Sequence, residues 1–367
     1  MQIQAAVVRE GQAPFTIETL EMTGLAPGEV LVRIAATGLC HTDLVVRDQV
    51  LPTPLPIVLG HEGAGVVAAV APDVTSLSVG DKVIMGFAAC RACEQCLSGQ
   101  PAYCTHFTPL NFAGARRDGS TCLHDHGHPV ASHFFGQSSF ATHAIAAAHN
   151  LVKIAPEAPL ELFGPLGCGI MTGAGAVMHA LKLRAGESFL VSGAGPVGLS
   201  AVMAAHASGA GMIIVSDPLA SRRAFALDVG ATHALDPADG PLTEQVMALC
   251  PQGVQTALDT SGLPQVIESV LSTLAPLGRM AMVGVPRDLA DSISLNLLTM
   301  LAKGIEVRGV TEGNADPQTF LPELIDLHAQ GRFPFDRMIS LYPLAKINEA
   351  VEDQHAGRCI KAVITMS

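Results

Sequence analysis

Hydrophobic and polar positions fall into two textures along the chain. From Gln2 to about residue 164 the apolar residues come in short, β-rich runs broken by Gly and Pro, and strands are predicted over residues 29–35, 65–70 and 81–85. Antiparallel strands with long loops fit this pattern. From about residue 172 to 283 strand and helix patterns alternate. An apolar strand over residues 189–192 leads into a helix from Pro196, and a strand over 212–216 leads into a helix from Ala220. Further strands over 255–258 and 279–283 have helical stretches before them. Such alternation predicts a parallel sheet covered on both faces. After Lys303 come a strand over 305–310, a helix from Pro317 to about Gln330 and a last strand over 360–365, and this tail is expected to return to the first domain.

Residues 188–216 contain no Asp, Glu, Lys or Arg and are long enough to cross a bilayer. Glycines at 193, 195, 198, 209 and 211, with Pro196, cut the stretch into strand, turn, helix, turn and strand, and Asp217 follows it. A sheet segment is therefore expected there, not a membrane span.

Length changes the picture first: 367 residues exceed what one hydrophobic core normally supports, so two domains are expected. The composition, 49% hydrophobic, 15% charged and 4% aromatic, suits close-packed α/β layers. A net charge of -12 without an acidic tail or basic run argues against nucleic acid as a partner. The start, MQIQAAVVREG, lacks the apolar stretch and cleavage site of an export signal, so a cytoplasmic protein with no membrane association is expected. Nine cysteines in such a chain point to metal or thiol chemistry more than to disulfides.

Cys90, Cys93, Cys96 and Cys104 read C-x2-C-x2-C-x7-C. Each x2 step folds the backbone back as a turn, so four thiolates can converge on one tetrahedral ion. Reduced free thiols and a redox C-x2-C are the alternatives, and the second lacks the βα turn that lowers such a thiol's pKa. With every corner a cysteine, no position is left for water or substrate, and the ion is assigned to holding the loop. A second motif, Gly193-x-Gly195-x-x-Gly198, follows the run FLVS and opens the helix at Pro196, with Asp217 nineteen residues past the last glycine. In a βαβ unit those glycines admit a pyrophosphate to the helix N-terminus, and the acid accepts from ribose hydroxyls. A carboxylate there would repel a 2′-phosphate, which predicts NAD⁺ over NADP⁺, although Arg222 could meet such a phosphate. Cys40 in GLCHTD, His61 and Glu62 in GHEG, and Cys168 in GCG carry little alone, because a lone buried Cys is more often a small hydrophobe.

Taken in order, GLCHTD, GHEGAG, the four-cysteine loop, GCGIMTGAGA, SGAGPVGL and Asp217 make the chain resemble the zinc-containing medium-chain alcohol dehydrogenases over essentially its whole length. The resemblance implies an α/β protein with a GroES-like β-rich catalytic domain, residues 1–170 and 305–367, carrying two zinc sites. Residues 171–304 would form a doubly wound parallel-sheet Rossmann domain that binds NAD. Cys40, His61 and Cys168 correspond to ligands of a catalytic zinc, with water or alcohol as the fourth. Thr42 would be the first proton acceptor from the alcohol, Asp43 would fix the tautomer of His61, and Glu62 would be the carboxylate behind the zinc. Two thiolates and an imidazole offset the metal's charge while the ion still lowers the pKa of a bound hydroxyl, which prepares hydride transfer to the nicotinamide. Many members carry a relay histidine where this chain has Val45, so proton release is expected through ribose hydroxyls and water or through His41, which is also expected beside the pyrophosphate. Further cofactor contacts implied are Thr172 and Val197 on the nicotinamide side, Pro196 at the helix start, Val283, Arg222 near the adenosine ribose, and Lys361 near the pyrophosphate.

The implied pocket, Thr42, Leu51, Phe87, Phe134 and Phe135, is dry and partly aromatic. The stretches GLCHTDLVVRD, HFFGQSSFAT, LGCGIMTGAGA, VTEGNADPQTFLPELIDL and GRFPFD are similar to bacterial aryl-alcohol (benzyl-alcohol) dehydrogenases. That likeness implies reversible oxidation of a small apolar primary alcohol, aromatic or allylic, to its aldehyde. Terpenoid, aliphatic, polyol or glutathione-linked substrates and a non-catalytic NAD-binding protein are the alternatives. The glutathione branch calls for a cation where Thr108 stands, though Arg116 and Arg117 lie close by. The parallel-sheet domain of relatives pairs edge to edge, so a homodimer or homotetramer is expected. Cys122, Cys250 and Cys359 are expected to be plain core or surface thiols.

Overall fold

The structure, a computed structural model that describes residues 1–366, contains a six-stranded parallel sheet, two of whose strands, Ser188–Ser192 and Met212–Ser216, are charge-free apolar runs. From one edge the order is His233–Leu235, Met212–Ser216, Ser188–Ser192, Val254–Asp259, Leu274–Met282 and Glu306–Gly309. In chain order that is 3-2-1-4-5-6, two βαβ halves diverging from Ser188–Ser192. Every residue of Ser188–Ser192 is buried, as a strand covered on both faces requires. The core packs Leu190, Ile214, Ala257 and Met280 from the strands against Val246, Ile267 and Val270 from helices. The stretch that hydropathy alone could mistake for a span is strand, helix Pro196–Ala207 and strand. Among the described residues no single helix is long and apolar enough to cross a membrane.

The chain divides into two compact units. One holds Met1–Cys168, Asp316–Glu323 and residues 338–366; the other, with the parallel sheet, holds Gly169–Ala315 and Leu324–Arg337. The expected boundary between residues 304 and 305 is therefore displaced. Glu306–Gly309 pairs in parallel with Leu274–Met282 through four residue pairs and so completes the sheet instead of returning to the first unit. Hydropathy could not show this, because a strand's pattern does not name its partner.

The first unit carries two sheets. Leu151–Ile154, Lys82–Met85, Gly63–Val70, Glu29–Gly38, Lys361–Thr365 and Ile339–Pro343 lie in that order, with His143–Ala147 also on Glu29–Gly38. Ile57–Val58, Gln2–Val8, Thr16–Met22, Leu123–Asp125 and His128–Val130 form the other sheet. The pairs are antiparallel as expected, apart from Ile339–Pro343 with Lys361–Thr365, which is parallel. Alternate residues of the long central strand, Val30, Val32 and Ile34, join Val67, Val83 and Leu151 in the core.

Glu29 begins that strand and anchors a loop to it. Its carboxylate accepts from Arg116 Nε at 2.7 Å and Nη2 at 2.9 Å and from the Ala26 N–H at 2.7 Å. Burial pushes its pKa up, but hydrogen bonds from His133 and Arg116 outweigh burial and hold it at about 2. A folded value below the unfolded 4.5 means the pair stabilises the fold in full above pH 4.5, and that its contribution is lost as pH falls from 4.5 toward 2. Glu29→Gln should cost on the order of 1–3 kcal/mol near neutrality. Melting curves should show the gap from wild type narrowing below pH 4.5; a gap that stays constant into acid would contradict the assignment.

Candidate metal and dinucleotide sites

The four sulfurs of Cys90, Cys93, Cys96 and Cys104 lie within 4.8 Å of one another. Cys90 and Cys96 Sγ are 3.9 Å apart, as are Cys93 and Cys104 Sγ. Backbone N–H groups are aimed at them: Cys93 N donates to Cys90 Sγ at 3.3 Å, and Cys90 N and His106 N donate to Cys104 Sγ at 3.3 and 3.4 Å. Such donors favour thiolates. The N–H of Cys96, then that of Thr105, pull Cys93 down to about 5, and the N–H of Ala92 leads those that bring Cys90 to about 7. Burial pushes Cys96 up to about 12 and raises Cys104, so without an ion the four sulfurs do not all ionise together; a cation among them would hold all four as thiolates, and the cluster fits one tetrahedral zinc with no further ligand.

The second cluster is built across three segments. Cys40 caps helix His41–Arg47, and its N–H donates to Asp43 Oδ2 at 2.9 Å. The other carboxylate oxygen of Asp43, which is fully buried, accepts from Gly60 N at 3.0 Å and from His61 Nδ1 at 2.9 Å. That contact puts the proton on Nδ1 and leaves Nε2 as a lone-pair donor. Nε2 is buried and makes no hydrogen bond among the described residues. Cys40 Sγ, a His61 ring nitrogen, Cys168 Sγ and a Glu62 carboxylate oxygen all lie within 4.8 Å of one another. Cys168 follows the turn Gly164–Gly167, which closes tightly: a Cβ on Gly164 would fall 2.5 Å from the Glu62 carbonyl oxygen. A Cβ on Gly38 would fall 1.8 Å from Glu62 Oε2, so only glycine lets that carboxylate sit where it does. A hydrogen bond from Cys168 holds the Cys40 thiol well below its usual range despite burial. Two sulfurs and an orphaned imidazole nitrogen fit a zinc ion with one open position.

Glu62 does not complete that set, because it is paired. Lys361 Nζ lies 2.5 Å from Glu62 Oε2 and donates to the Leu39 carbonyl at 2.9 Å. This corrects the expected role of Lys361 as a pyrophosphate contact, since it is 1% exposed behind the cluster. Burial pushes its pKa down, but the charge of Glu62 outweighs burial and raises it. A buried ammonium needs such a partner, and the last strand, paired with Glu29–Gly38, delivers it there.

Of the expected pocket residues, Thr42 is half-buried with Oγ1 3.7 Å from Cys40 Sγ, and Leu51 is half-buried. Phe87 and Phe134 have no open face: they are 1% and 0% exposed and spent on packing, which corrects their expected place in the lining. Phe135 stacks on the His61 ring at 4.4 Å and 25°, and Phe134 meets it edge-on at 5.4 Å. Phe107 and Phe112 extend this aromatic group and were not expected from sequence. Gln137 was also missed, since nothing in HFFGQSSF sets it apart from the His and Ser residues around it. His41 is exposed and Val45 buried on the same short helix.

In the other unit, Gly193 takes φ +92°, and Gly195 caps the helix that starts at Pro196. A Cβ on Gly198 would fall 1.9 Å from the Gly193 carbonyl oxygen, so glycine is required for the helix to start so close to the strand. Asp217, at the end of the neighbouring strand, accepts from Ala194 N at 2.7 Å and Leu219 N at 2.8 Å. A Cβ on Gly173 would fall 2.0 Å from the Val197 carbonyl oxygen, which sets the segment bearing Thr172 against the same turn. Val283 leaves the end of its strand with its N–H on the Asp259 carbonyl at 3.0 Å. Arg222 is half-buried with Nε unpartnered among the described residues, whereas Arg223 is tied to the Asp217 carbonyl and to Asp236. These residues collect at the C-terminal edge of the parallel strands, where open α/β sheets bind ligands.

Comparison with known proteins bears on both sites. The alcohol dehydrogenase GroES-like domain family matches residues 26–156, and the zinc-binding dehydrogenase family matches residues 196–330. The chain is 48% identical over 363 residues to geraniol dehydrogenase of Castellaniella defragrans, covering 98% of this chain and 97% of that one. Among solved structures it superposes on an alcohol dehydrogenase zinc-binding domain protein from Burkholderia ambifaria with TM-score 0.98 at 48% identity, covering 100% and 99% of the two chains. It superposes on benzyl alcohol dehydrogenase of Acinetobacter calcoaceticus with TM-score 0.97 at 42% identity, over 100% of both chains.

Metal analysis of the purified chain should find two zinc ions. Asp43→Ala should weaken one of them about 10–100-fold, leaving the four-cysteine ion in place after dialysis against a mild chelator. Equal retention of both ions by the variant would contradict the role given to Asp43.

Proposed function

The chain belongs to the zinc-dependent alcohol dehydrogenase family, whose cofactors are zinc and NAD, and from that premise we propose that it oxidises a primary aromatic or allylic alcohol to the aldehyde, reversibly, with NAD⁺ as hydride acceptor. The observation that carries the substrate class is the aromatic group beside His61, where Phe135 stacks on the imidazole and Phe107 and Phe112 pack against Phe135. A planar, apolar group beside the carbinol suits such walls, and conjugation with the forming carbonyl eases hydride loss. The names of two relatives, one for geraniol and one for benzyl alcohol, agree with that chemistry.

Zinc held by Cys40, His61 and Cys168 supplies Lewis acidity that lowers the pKa of the substrate hydroxyl. Thr42, two residues past a ligand, accepts the hydroxyl proton at Oγ1. Asp43 keeps the His61 proton on Nδ1, so Nε2 stays a ligand. The Glu62–Lys361 pair offsets its own charge and adds no net anion behind the ligands. Val45 cannot pass a proton on, so release runs through ribose hydroxyls and water or through exposed His41. Asp217, tied to the glycine turn by the Ala194 N–H, presents a carboxylate that repels a 2′-phosphate and favours NAD⁺. Arg222 serves the adenosine ribose, and Thr172, Val197 and Val283 serve the nicotinamide end.

The glutathione-linked alternative loses a cation, because Arg116 is spent on Glu29. A homodimer or homotetramer is part of the proposal: Leu277, Leu297, Leu298 and Leu301 are 74–81% exposed on the unit whose sheet ends in the edge strand Glu306–Gly309.

Initial rates across benzyl alcohol, geraniol, ethanol, sorbitol and S-hydroxymethylglutathione test the substrate class. The highest kcat/KM should fall on benzyl alcohol or geraniol, about 100-fold above ethanol, with NAD⁺ favoured over NADP⁺ by about 10-fold or more. A preference for ethanol, sorbitol or the glutathione adduct would sink the proposal.

A further inference from the structure

The backbone between His133 and Ser138 turns through a conformation that few L-residues adopt. The φ angle is +60° at His133, +52° at Phe135, +68° at Gly136 and +55° at Ser138. A left-handed φ at a bulky residue such as Phe135 persists only where its surroundings fix it, and such outliers gather at functional sites. Local bonds hold the arc: Ser138 Oγ donates to the Val58 carbonyl at 2.6 Å and accepts from Phe134 N at 3.0 Å.

The arc wraps His61. Phe135 lies over one face of the imidazole and Phe134 meets it edge-on. Gln137, 2% exposed, grips the backbone on both sides of Glu62. Its Oε1 accepts from Gly63 N at 3.0 Å, and its Nε2 donates to the His61 carbonyl at 2.9 Å, with the Met85 and Gly86 carbonyls at 3.4 Å. An N–H on one side and carbonyls on the other leave the carboxamide a single orientation. Gly63 has no spare room, since a Cβ there would fall 2.8 Å from Met85 Sδ and 3.0 Å from Gln137 Oε1. Asp43 fixes the ring of His61 at Nδ1, while Gln137 fixes the peptide that carries it.

We propose that Gln137 is a positioning residue for His61, its carboxamide fastening the strained arc 133–138 around the imidazole so that Nε2 stays aimed at the metal. The proposal rests on the reading of His61 as a zinc ligand. Without the carboxamide, Gly63 N and the His61 carbonyl lose their partners in a dry setting, and the turn carrying His61 is free to rotate. Misaimed ligands bind metal less tightly, as when other supporting partners of a ligand are removed.

The test uses the full chain loaded with metal, as wild type, Gln137→Met and Gln137→Glu. The four-cysteine zinc serves as an internal folding control. Gln137→Met should release one zinc to a chromophoric chelator about 10–100-fold faster than wild type, with release of the second unchanged. Cobalt placed at the faster site should show visible bands displaced from those of wild type, a signal that loss of stability alone would not produce. Wild-type release rates and wild-type bands in Gln137→Met would overturn the proposal. Should Gln137→Met lose both metals, Gln137→Glu, which keeps the size and the acceptor, decides: selective loss of one zinc supports the proposal, and loss of neither or of both overturns it. A wild-type chain that holds a single zinc would instead remove the reading of His61 as a ligand, and this proposal with it.

Discussion

One buried carboxylate organises the centre of the first unit. Asp43 accepts from three donors on two segments: the N–H of Cys40, the N–H of Gly60 and Nδ1 of His61. With no exposure to water, a carboxylate with fewer partners would be costly, so all three contacts must form together. Their common consequence is that Cys40 and His61 meet at a fixed distance and that His61 presents Nε2. The rest of the arrangement accommodates this one constraint. Glycines at 38 and 164 let neighbouring backbone close on Glu62, and Lys361 neutralises the charge that the closure buries.

The two metal clusters differ in the way their surroundings differ. The four-cysteine loop turns back on itself within fifteen residues and directs amide protons at its own sulfurs, which suits an ion that only holds shape. The second cluster draws its groups from distant segments and lies against the ring of Phe135, as the proposed open site requires. In the parallel-sheet unit the same economy appears around Asp217, whose two oxygens brace the glycine turn on one side and the start of the next segment on the other. On the proposed reading, a group held this rigidly would discriminate between ribose hydroxyls and a phosphate without rearranging.

What could be read from the sequence was whatever physics confines to short range. Cysteine spacing pointed to the clamp, and the glycine spacing with Asp217 to the turn; the alternating texture located five strands of the parallel sheet and missed the short edge strand His233–Leu235. Long-range pairings were not legible. Nothing local says that Lys361, 322 residues from Leu39, donates to its carbonyl and lies behind the cluster, and so its expected contact with the pyrophosphate was wrong. The strand Glu306–Gly309 was expected with the first unit because its pattern does not reveal its neighbour. Phe134 and Phe135 were read alike, yet the positive φ at Phe135 separates their directions, and only Phe135 stacks on His61. Arg116 could be a substrate contact in sequence; its pair with Glu29 removes it from that role.

The central claim is that the chemistry belongs to the Cys40–His61–Cys168 cluster and that the four-cysteine ion takes no part in it. Cys168→Ser addresses this most directly, with zinc content, NADH binding and alcohol-dependent NADH formation measured on one preparation. The account predicts one tightly held zinc, unchanged NADH affinity and turnover lower by about 100-fold or more. A variant that keeps two zinc ions and turns over near the wild-type rate would contradict it.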